Sequence, residues 1–242
     1  MSTQYSEQFY VRQKTGSLPS AEIIVPHLLS IIGPVKNVVD VGCGLGTWLS
    51  VFKTHGASNI LGVDNPYAKR TQTYIPDNAF LSADLELPLQ VRDQFDLAVT
   101  LEVAEHIEEA HAEQFVASLT KLAPIVLFSA AIPGQGGTHH VNEQWPDYWE
   151  ALFAQHQYVA VDCIRRAIWN HPNVSYWYAQ NTLLYVHKSK YANLALKQEH
   201  MLQTQPALRL VHPALYDSIN PRNNISRKLL LLSLITSFLR RT

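Results

Sequence analysis

Val38-Val39-Asp40-Val41-Gly42-Cys43-Gly44-Leu45-Gly46-Thr47 is the run whose reading decides the fold. Asn37 to Val41 is a short β-branched stretch that ends in a glycine loop, so it reads as a buried strand. Leu45 to His55 then reads as a helix, stopped by Gly56. Glycine allows backbone angles and close ligand approach that a Cβ would block. Nicotinamide and flavin enzymes also place a glycine loop between strand and helix, and two details separate this one from theirs. The dinucleotide pattern puts its third glycine where Thr47 stands, whereas here it falls one residue earlier, at Gly46. An acid, Asp40, also lies inside the strand end. A carboxylate there suits a ligand that carries positive charge better than one that carries a pyrophosphate.

Working outward, the same pattern recurs. Ala21 to Ile32 precedes it as a helix stopped by Gly33-Pro34. Strands are expected over Asn59 to Val63, Ala79 to Ala83 and Phe95 to Thr100, followed by a long helix from Val103 to Leu122. Ile125 to Ala130 is a fifth strand and Asp147 to Gln155 a further helix. Tyr158 to Ile164 and Thr182 to His187 are the last strands. Arg165 to Asn181 shows no helical pattern and suits a hairpin-like return, which makes the last strand antiparallel. Strands alternating with helices give a Rossmann-like, doubly wound α/β sheet. Asp64 with Asn65, Asp84 with Leu85, and Leu101-Glu102-Val103 follow consecutive strands at one sheet edge, where open α/β sheets bind ligands. One such Asp taken singly is more often a helix cap; the set in order points to a ligand.

Asp40-Val41-Gly42-Cys43-Gly44-Leu45-Gly46, Gly62-Val63-Asp64 and Phe95-Asp96-Leu97-Ala98 with Leu101-Glu102-Val103-Ala104-Glu105-His106-Ile107 resemble the class I S-adenosylmethionine (SAM)-dependent methyltransferases. Within them the E-V-x-E-H-I pattern is similar to the ubiquinone-biosynthesis-like branch. The resemblance covers Ala21 to His187 and implies seven strands with the last antiparallel. It also implies SAM as cofactor: Asp40, Gly42, Gly44 and Gly46 at the methionine end, Asp64 on the ribose, Asp84 and Leu85 by the adenine, and Leu101 to Val103 closing the pocket. Pro133 to Trp145 is similar to a bacterial subgroup associated with cell-surface glycan or natural-product pathways. In such relatives the segment before the first helix, here Tyr5 to Ser20 with Tyr10, folds over the cofactor as a lid; the alternative is a mobile terminus.

Methyl transfer from a sulfonium needs alignment and, for a hydroxyl acceptor, removal of a proton. The base candidates are His139 and His140 in the loop after the fifth strand, with Glu143 as base or orienter, and His106, whose other reading is capping or packing. His139, His140 and Glu143 have ligand chemistry, but a lone loop cluster is more often no site, so no metal is expected. Four of the five tryptophans lie in one third of the chain. Trp145, Trp169 and Trp177 are the candidates to touch an acceptor, since aromatic faces stack on sugars and planar rings. Trp145 and Trp149, spaced i to i+4, otherwise form a buried helix face.

The chain has 242 residues, 47% of them hydrophobic, enough for one sizeable domain. Residues 21–188 form that domain, 1–20 the lid segment and 189–242 a C-terminal helical extension. The net charge of −1 argues against a nucleic-acid partner. Cys43 and Cys163 give no disulfide framework, which suits the cytoplasm. Met1 to Lys14 has no apolar core of a signal peptide. Ser226 to Arg241 reads as a helix with basic ends and an all-round apolar middle, Leu229 to Leu232. It suits packing on the domain or in a homodimer rather than membrane insertion. The leading expectation is O-methylation of a small molecule or glycan. N-methylation of an amino sugar or peptide product, or a SAM-binding scaffold without chemistry, are the alternatives.

Overall fold

The computed structural model describes residues 7–66, 74–191 and 208–220, with residues 7–15 described as helical backbone only. Its elements, in order, are α1 (Glu7–Ile32), β1 (Asn37–Val41), α2 (Thr47–Thr54), β2 (Asn59–Asp64), β3 (Phe80–Ser82), β4 (Leu97–Leu101) and α3 (Glu109–Leu122). There follow β5 (Ile125–Ser129), α4 (Pro146–Gln155), β6 (Tyr158–Val161), α5 (Arg165–Ile168), α6 (Tyr176–Asn181), β7 (Leu183–His187), α7 (Lys188–Tyr191) and α8 (Pro213–Ile219). The seven strands form one sheet in the order β3-β2-β1-β4-β5-β7-β6. β1 to β5 run parallel, and β7 is antiparallel to both β5 and β6. The order reverses between β1 and β4, which opens a crevice at their carboxyl ends.

The central strands β4 and β5 are buried along their whole length because both sheet faces are covered there, as parallel sheets require. Alternate residues go to opposite layers. Val38, Leu97, Val99, Ile125, Leu127, Leu184 and Val186 pack with α1 and α2 residues such as Ile24, Leu28, Leu49 and Phe52. Val39, Ala98, Val126, Phe128, Leu183 and Tyr185 pack with Phe115, Leu119, Trp149 and Phe153 from α3 and α4.

Three expectations change. The first helix does not begin at Ala21 but runs unbroken from Glu7, through Gly16 and Pro19. Glycine and proline are poor in helix interiors, yet tertiary packing overrides that here: Ser17 and Ser20 are buried, and the Ser20 hydroxyl donates to the Gly16 carbonyl at 2.7 Å. The helix expected from Val103 begins at Glu109, after a 3-10 turn over Ala104–His106. The Glu105 carbonyl accepts the N–H groups of Val141 and Asn142 at 2.9 and 3.0 Å, so the later loop takes the acceptor that a continuing helix would use. Arg165 to Asn181 does return the chain to an antiparallel neighbour, β7 beside β6, but it carries α5 and α6, too short to show a helical period.

The described part of the extension rests on the domain through polar contacts. Arg165 donates to the Leu208 carbonyl at 2.9 Å, the His212 N–H donates to Gln180 at 2.8 Å, and Leu215 of α8 is buried. The helix expected over Ser226 to Arg241, the homodimer it would form and Tyr5 of the lid segment lie outside the described residues, as does most of Ser189 to Gln205. Among the described residues, no helix is long and apolar enough to cross a membrane.

Phe153 stacks on Tyr185 with ring centres 3.9 Å apart and planes 11° apart, and meets Phe128 edge-on at 5.4 Å. Phe153→Ala is therefore expected to cost about 3–5 kcal/mol, lowering the urea midpoint with an unchanged slope. A loss below about 1 kcal/mol would contradict this packing.

Candidate functional site

Parallel pairing in close register brings the strand ends to one edge: Val41 stands beside Val63, and Asp64 beside Ser82. Above that edge lies a cavity of about 530 Å³. Gly42 and Gly44 line it from the loop after β1, Asp64 and Asn65 from the end of β2, Asp84 and Leu85 after β3, and Glu102 and Val103 after β4. His106 and His139 line it too. Gly42 has φ +82°, and a Cβ there would lie 2.4 Å from Val103 Cγ2, so the loop turns here only with glycine.

Asp64 holds the loop in place. Its Oδ2 accepts the Gly44 N–H at 2.6 Å and its Oδ1 accepts the Asn65 N–H at 2.7 Å. Each oxygen keeps a second lone pair for a ligand hydroxyl. Burial raises the Asp64 pKa, and these two N–H groups oppose the shift. Asp84 accepts the Glu86 N–H at 3.0 Å, and Glu86 accepts the Glu108 N–H at 3.0 Å.

Other sequence candidates are placed off this cavity. Asp40 and Leu101 border a small second hollow of about 10 Å³, beneath Ser17 of α1 and Tyr178 of α6. Gly46 is the N-cap of α2, at φ 76°. His140 is turned away from the cavity lining, its Nδ1 on Glu143 at 2.8 Å. Glu143 also accepts the N–H groups of Gly134 and Gly136 at 2.7 and 2.8 Å, so it organises the loop. Trp145 lies under the Arg209 guanidinium at 5.6 Å, and Trp169 lies 4.8 Å from the His212 ring. Trp177 packs beside Gly16 of α1. None of these three tryptophans lines the cavity. Tyr10 belongs to α1, with its side chain outside the described residues.

The structure adds residues that the motifs did not single out. Glu102 has φ 57°, a left-handed conformation uncommon outside glycine. A buried amide network holds it. Asn181 donates to its Oε1 at 3.0 Å and Gln135 to its Oε2 at 2.8 Å, while Gln180 donates to Gln135 at 3.1 Å. Burial raises the Glu102 pKa, and the bonds from Asn181, Ser129 and Gln135 oppose it. The adjacent amides Gln180-Asn181, both buried just before β7, were the sequence signal for this network. Burial pushes the His106 imidazole down to about 4, which leaves it neutral at pH 7.

Two observations test the fit of a cofactor with an ammonium and a sulfonium. Among the described residues, the cavity lining carries five carboxylates, Asp64, Asp84, Glu86, Glu102 and Glu108, and no lysine or arginine. Asp40, 2% exposed, has an Oδ2 without a hydrogen-bond partner. A buried anionic oxygen left unpaired is costly unless a ligand cation meets it. The residues fit.

A family model described as a methyltransferase domain matches residues 21–168. Among curated proteins, the chain is 32% identical over 87 residues to a ribosomal protein L11 methyltransferase of Cupriavidus taiwanensis. That match spans 35% of this chain and only 29% of the relative's length. Two solved structures share the fold at a TM-score of 0.57. The sugar N-methyltransferase KedS8 of Streptoalloteichus is 13% identical, covering 75% of this chain and 92% of that one. The amino pentose methyltransferase CalS10 of Micromonospora echinaspora, solved with SAM bound, is 12% identical, covering 77% and 99%. An O-methyltransferase family protein of Burkholderia thailandensis has a TM-score of 0.52 at 12% identity, covering 74% of this chain and 57% of that one.

Burial, and then the charge of Asp64, holds the Asp40 carboxyl well above the usual carboxylate range. A raised folded-state value means an ionisation penalty on folding. It is absent below the unfolded value of about 3.9, grows as pH rises, and levels off above the folded value. Asp40→Asn keeps the shape without the charge. Its melting temperature is expected to exceed wild type at pH 7.5, with the gap closing toward pH 4. Equal melting temperatures at pH 7.5 would refute this account of Asp40.

Proposed function

The chain belongs to the class I SAM-dependent methyltransferase family, and from that premise we propose that it methylates a hydroxyl of a small molecule or glycan. The cofactor, when bound, supplies a methyl group activated by a sulfonium. The observation that carries the reading is the cavity that five carboxylates line, with no lysine or arginine among the described residues. Such a lining favours a cationic cofactor and an uncharged or cationic acceptor. It disfavours phosphate-bearing acceptors, nucleic acid among them, because like charges would face each other at low dielectric.

The residues divide the work by position. Asp64 takes the ribose hydroxyls on its remaining lone pairs, and Asp84 with Leu85 lies at the adenine. Asp40 meets the ammonium of the methionine end, under α1. On the acceptor side, His139 lines the cavity and is exposed, which suits it to receive the hydroxyl proton as the oxygen attacks. His140 is committed to Glu143 and is the weaker candidate for that role.

A second reading, N-methylation of an amino sugar, draws support from the same acidic lining, which would hold an ammonium before its deprotonation. The names of the sugar N-methyltransferase KedS8 and of the amino pentose methyltransferase CalS10, which share this fold, lend it weight.

Calorimetry with S-adenosylhomocysteine and with NAD tests the cofactor reading. The first is expected to bind and the second not to; binding of NAD alone would sink it. Asp64→Ala is expected to weaken S-adenosylhomocysteine by about 1.5–3 kcal/mol, the scale of hydrogen bonds to a charged group.

Transfer of radiolabelled methyl groups to a panel of neutral sugars and amino sugars separates the acceptor readings. His139→Ala is expected to leave S-adenosylhomocysteine affinity intact and to lower turnover on a hydroxyl acceptor by about 10²–10⁴. Wild-type rates in that variant would remove His139 from the role of base.

A further inference from the structure

One buried group beside the cavity has no part in cofactor binding or proton removal. The Glu105 carboxylate is 0% exposed, and no side chain donates a hydrogen bond to either of its oxygens; the neighbouring donors are the backbone N–H groups of Glu105 and Ala131. Two imidazoles flank it. Nδ1 of His106 faces the His139 carbonyl oxygen at 3.1 Å; a carbonyl only accepts, so Nδ1 carries the proton. Nδ1 of His140 meets the Glu143 carboxylate at 2.8 Å and donates in the same way. Each ring is left with Nε2 as the nitrogen that offers a lone pair. Nε2 of His140 lies 3.9 Å from Glu105 Oε1, too far for a hydrogen bond. One ligand atom from each of Glu105, His106 and His140 lies within 4.8 Å of the other two. Donors about 2.1 Å from one ion stand about 3.0–3.4 Å apart, so side-chain shifts of about 1 Å close a shell here.

The surroundings favour a cation. Among the described residues, the ion pairs of Glu105 and Glu143 are both with His140. The space beside His140 Nε2 is kept open by Gly137, since a Cβ there would lie 2.1 Å from that nitrogen. The His139 carbonyl and the Glu143 carboxylate hold the two rings from behind, as outer partners do at metal sites.

We propose that Glu105, His106 and His140 bind one divalent first-row transition metal ion at the border of the cavity. Two imidazoles and one carboxylate on one side of an ion leave coordination positions open on the other. His106 itself lines the cavity, so the open side borders the space assigned above to the acceptor. An oxygen of the acceptor is the ligand that would complete the shell; this last assignment rests on the hydroxyl reading, whereas the metal site does not. The expectation of no metal weighed only the loop group His139, His140 and Glu143. The fold replaces two of its members with Glu105 and His106 from the turn after β4.

The full chain, stripped with a chelator, is titrated with MnCl2 while the free-ion EPR signal is recorded, and with ZnCl2 by calorimetry. One equivalent is expected to bind with a dissociation constant of about 10 µM or tighter. Glu105→Gln and His140→Ala are each expected to weaken binding by about 100-fold or more. Both are expected to keep the S-adenosylhomocysteine affinity of the parent chain, which reports that the fold is intact; His140→Ala decides the matter if Glu105→Gln does not fold. Failure of the parent chain to bind either ion at millimolar concentration overturns the site, and so does undiminished binding in a folded variant. If Mn²⁺ binds and S-adenosylhomocysteine does not, the metal site stands and the cofactor reading falls.

Discussion

The 2.6 Å hydrogen bond from the Gly44 N–H to Asp64 Oδ2 ties the glycine loop of β1 to the end of β2, and the floor of the cavity depends on it. Parallel strands with matched register deliver their ends to one edge, but register alone does not shape a loop. A carboxylate at the end of the neighbouring strand fixes it by taking a loop N–H as acceptor. That charge-assisted bond is short and stronger than a neutral one. The same carboxylate lines the cavity and keeps further acceptor capacity, so one side chain both builds the floor and offers a ligand contact. Its partial burial raises the cost of its charge, and the two N–H donors offset that cost.

The second constraint is the imbalance of charge above the sheet. Carboxylates gather at the cavity while the cations pair elsewhere: Arg165 with Asp162 at 2.6 Å, and Arg209 with Asp147 at 2.6 Å. The chain is nearly neutral as a whole, so this is segregation rather than net acidity. Unpaired anions at low dielectric destabilise the fold on their own and bind cations strongly. Asp40 and Glu105 are the two extremes, both buried with oxygens to which no side chain donates. They lie on different elements, Asp40 beneath α1 and Glu105 in the turn after β4. Burial raises the pKa of both, and a positively charged ligand beside either would favour its ionised form.

The sheet was legible because its central strands are short, mostly apolar runs closed by glycine or acid, as at Val38–Val41 and Gly42. The cavity edge was legible for the same reason: Asp64, Asp84 and Glu102 come at or just after the ends of their strands in sequence. What sequence hid was everything set by tertiary contacts. Tyr5 to Ser20 reads as a lid segment or mobile terminus, yet the helix passes through Gly16 and Pro19 because Ser17 and Ser20 are buried against the domain. Trp169 and Trp177 read as exposed acceptor contacts, yet they pack against the extension and α1. Glu105 reads as one more acid in a helix; only the fold shows its carboxylate buried between two histidines 34 residues apart in the chain (106 and 140).

The loop from β5 to α4 shows how such a distant pair is brought together. Its backbone is stitched to the turn after β4 by the Val141 and Asn142 N–H groups on the Glu105 carbonyl. Its interior is gathered by Glu143, which accepts from Gly134, Gly136 and His140. These contacts leave His139 on the cavity and turn His140 toward Glu105. Adjacent histidines thus serve different neighbours because the backbone between them is locked, with His139 itself at φ 60°. Left-handed backbone at a residue other than glycine costs about 1–3 kcal/mol and persists only where the surroundings over-determine it. Glu102, at φ 57° on the facing strand end, is held in the same way by Asn181 and Gln135. The two strained residues both line the cavity. This part of the cavity wall is therefore set by backbone that its hydrogen bonds hold in place, the kind of preorganisation on which the proposed in-line transfer would draw.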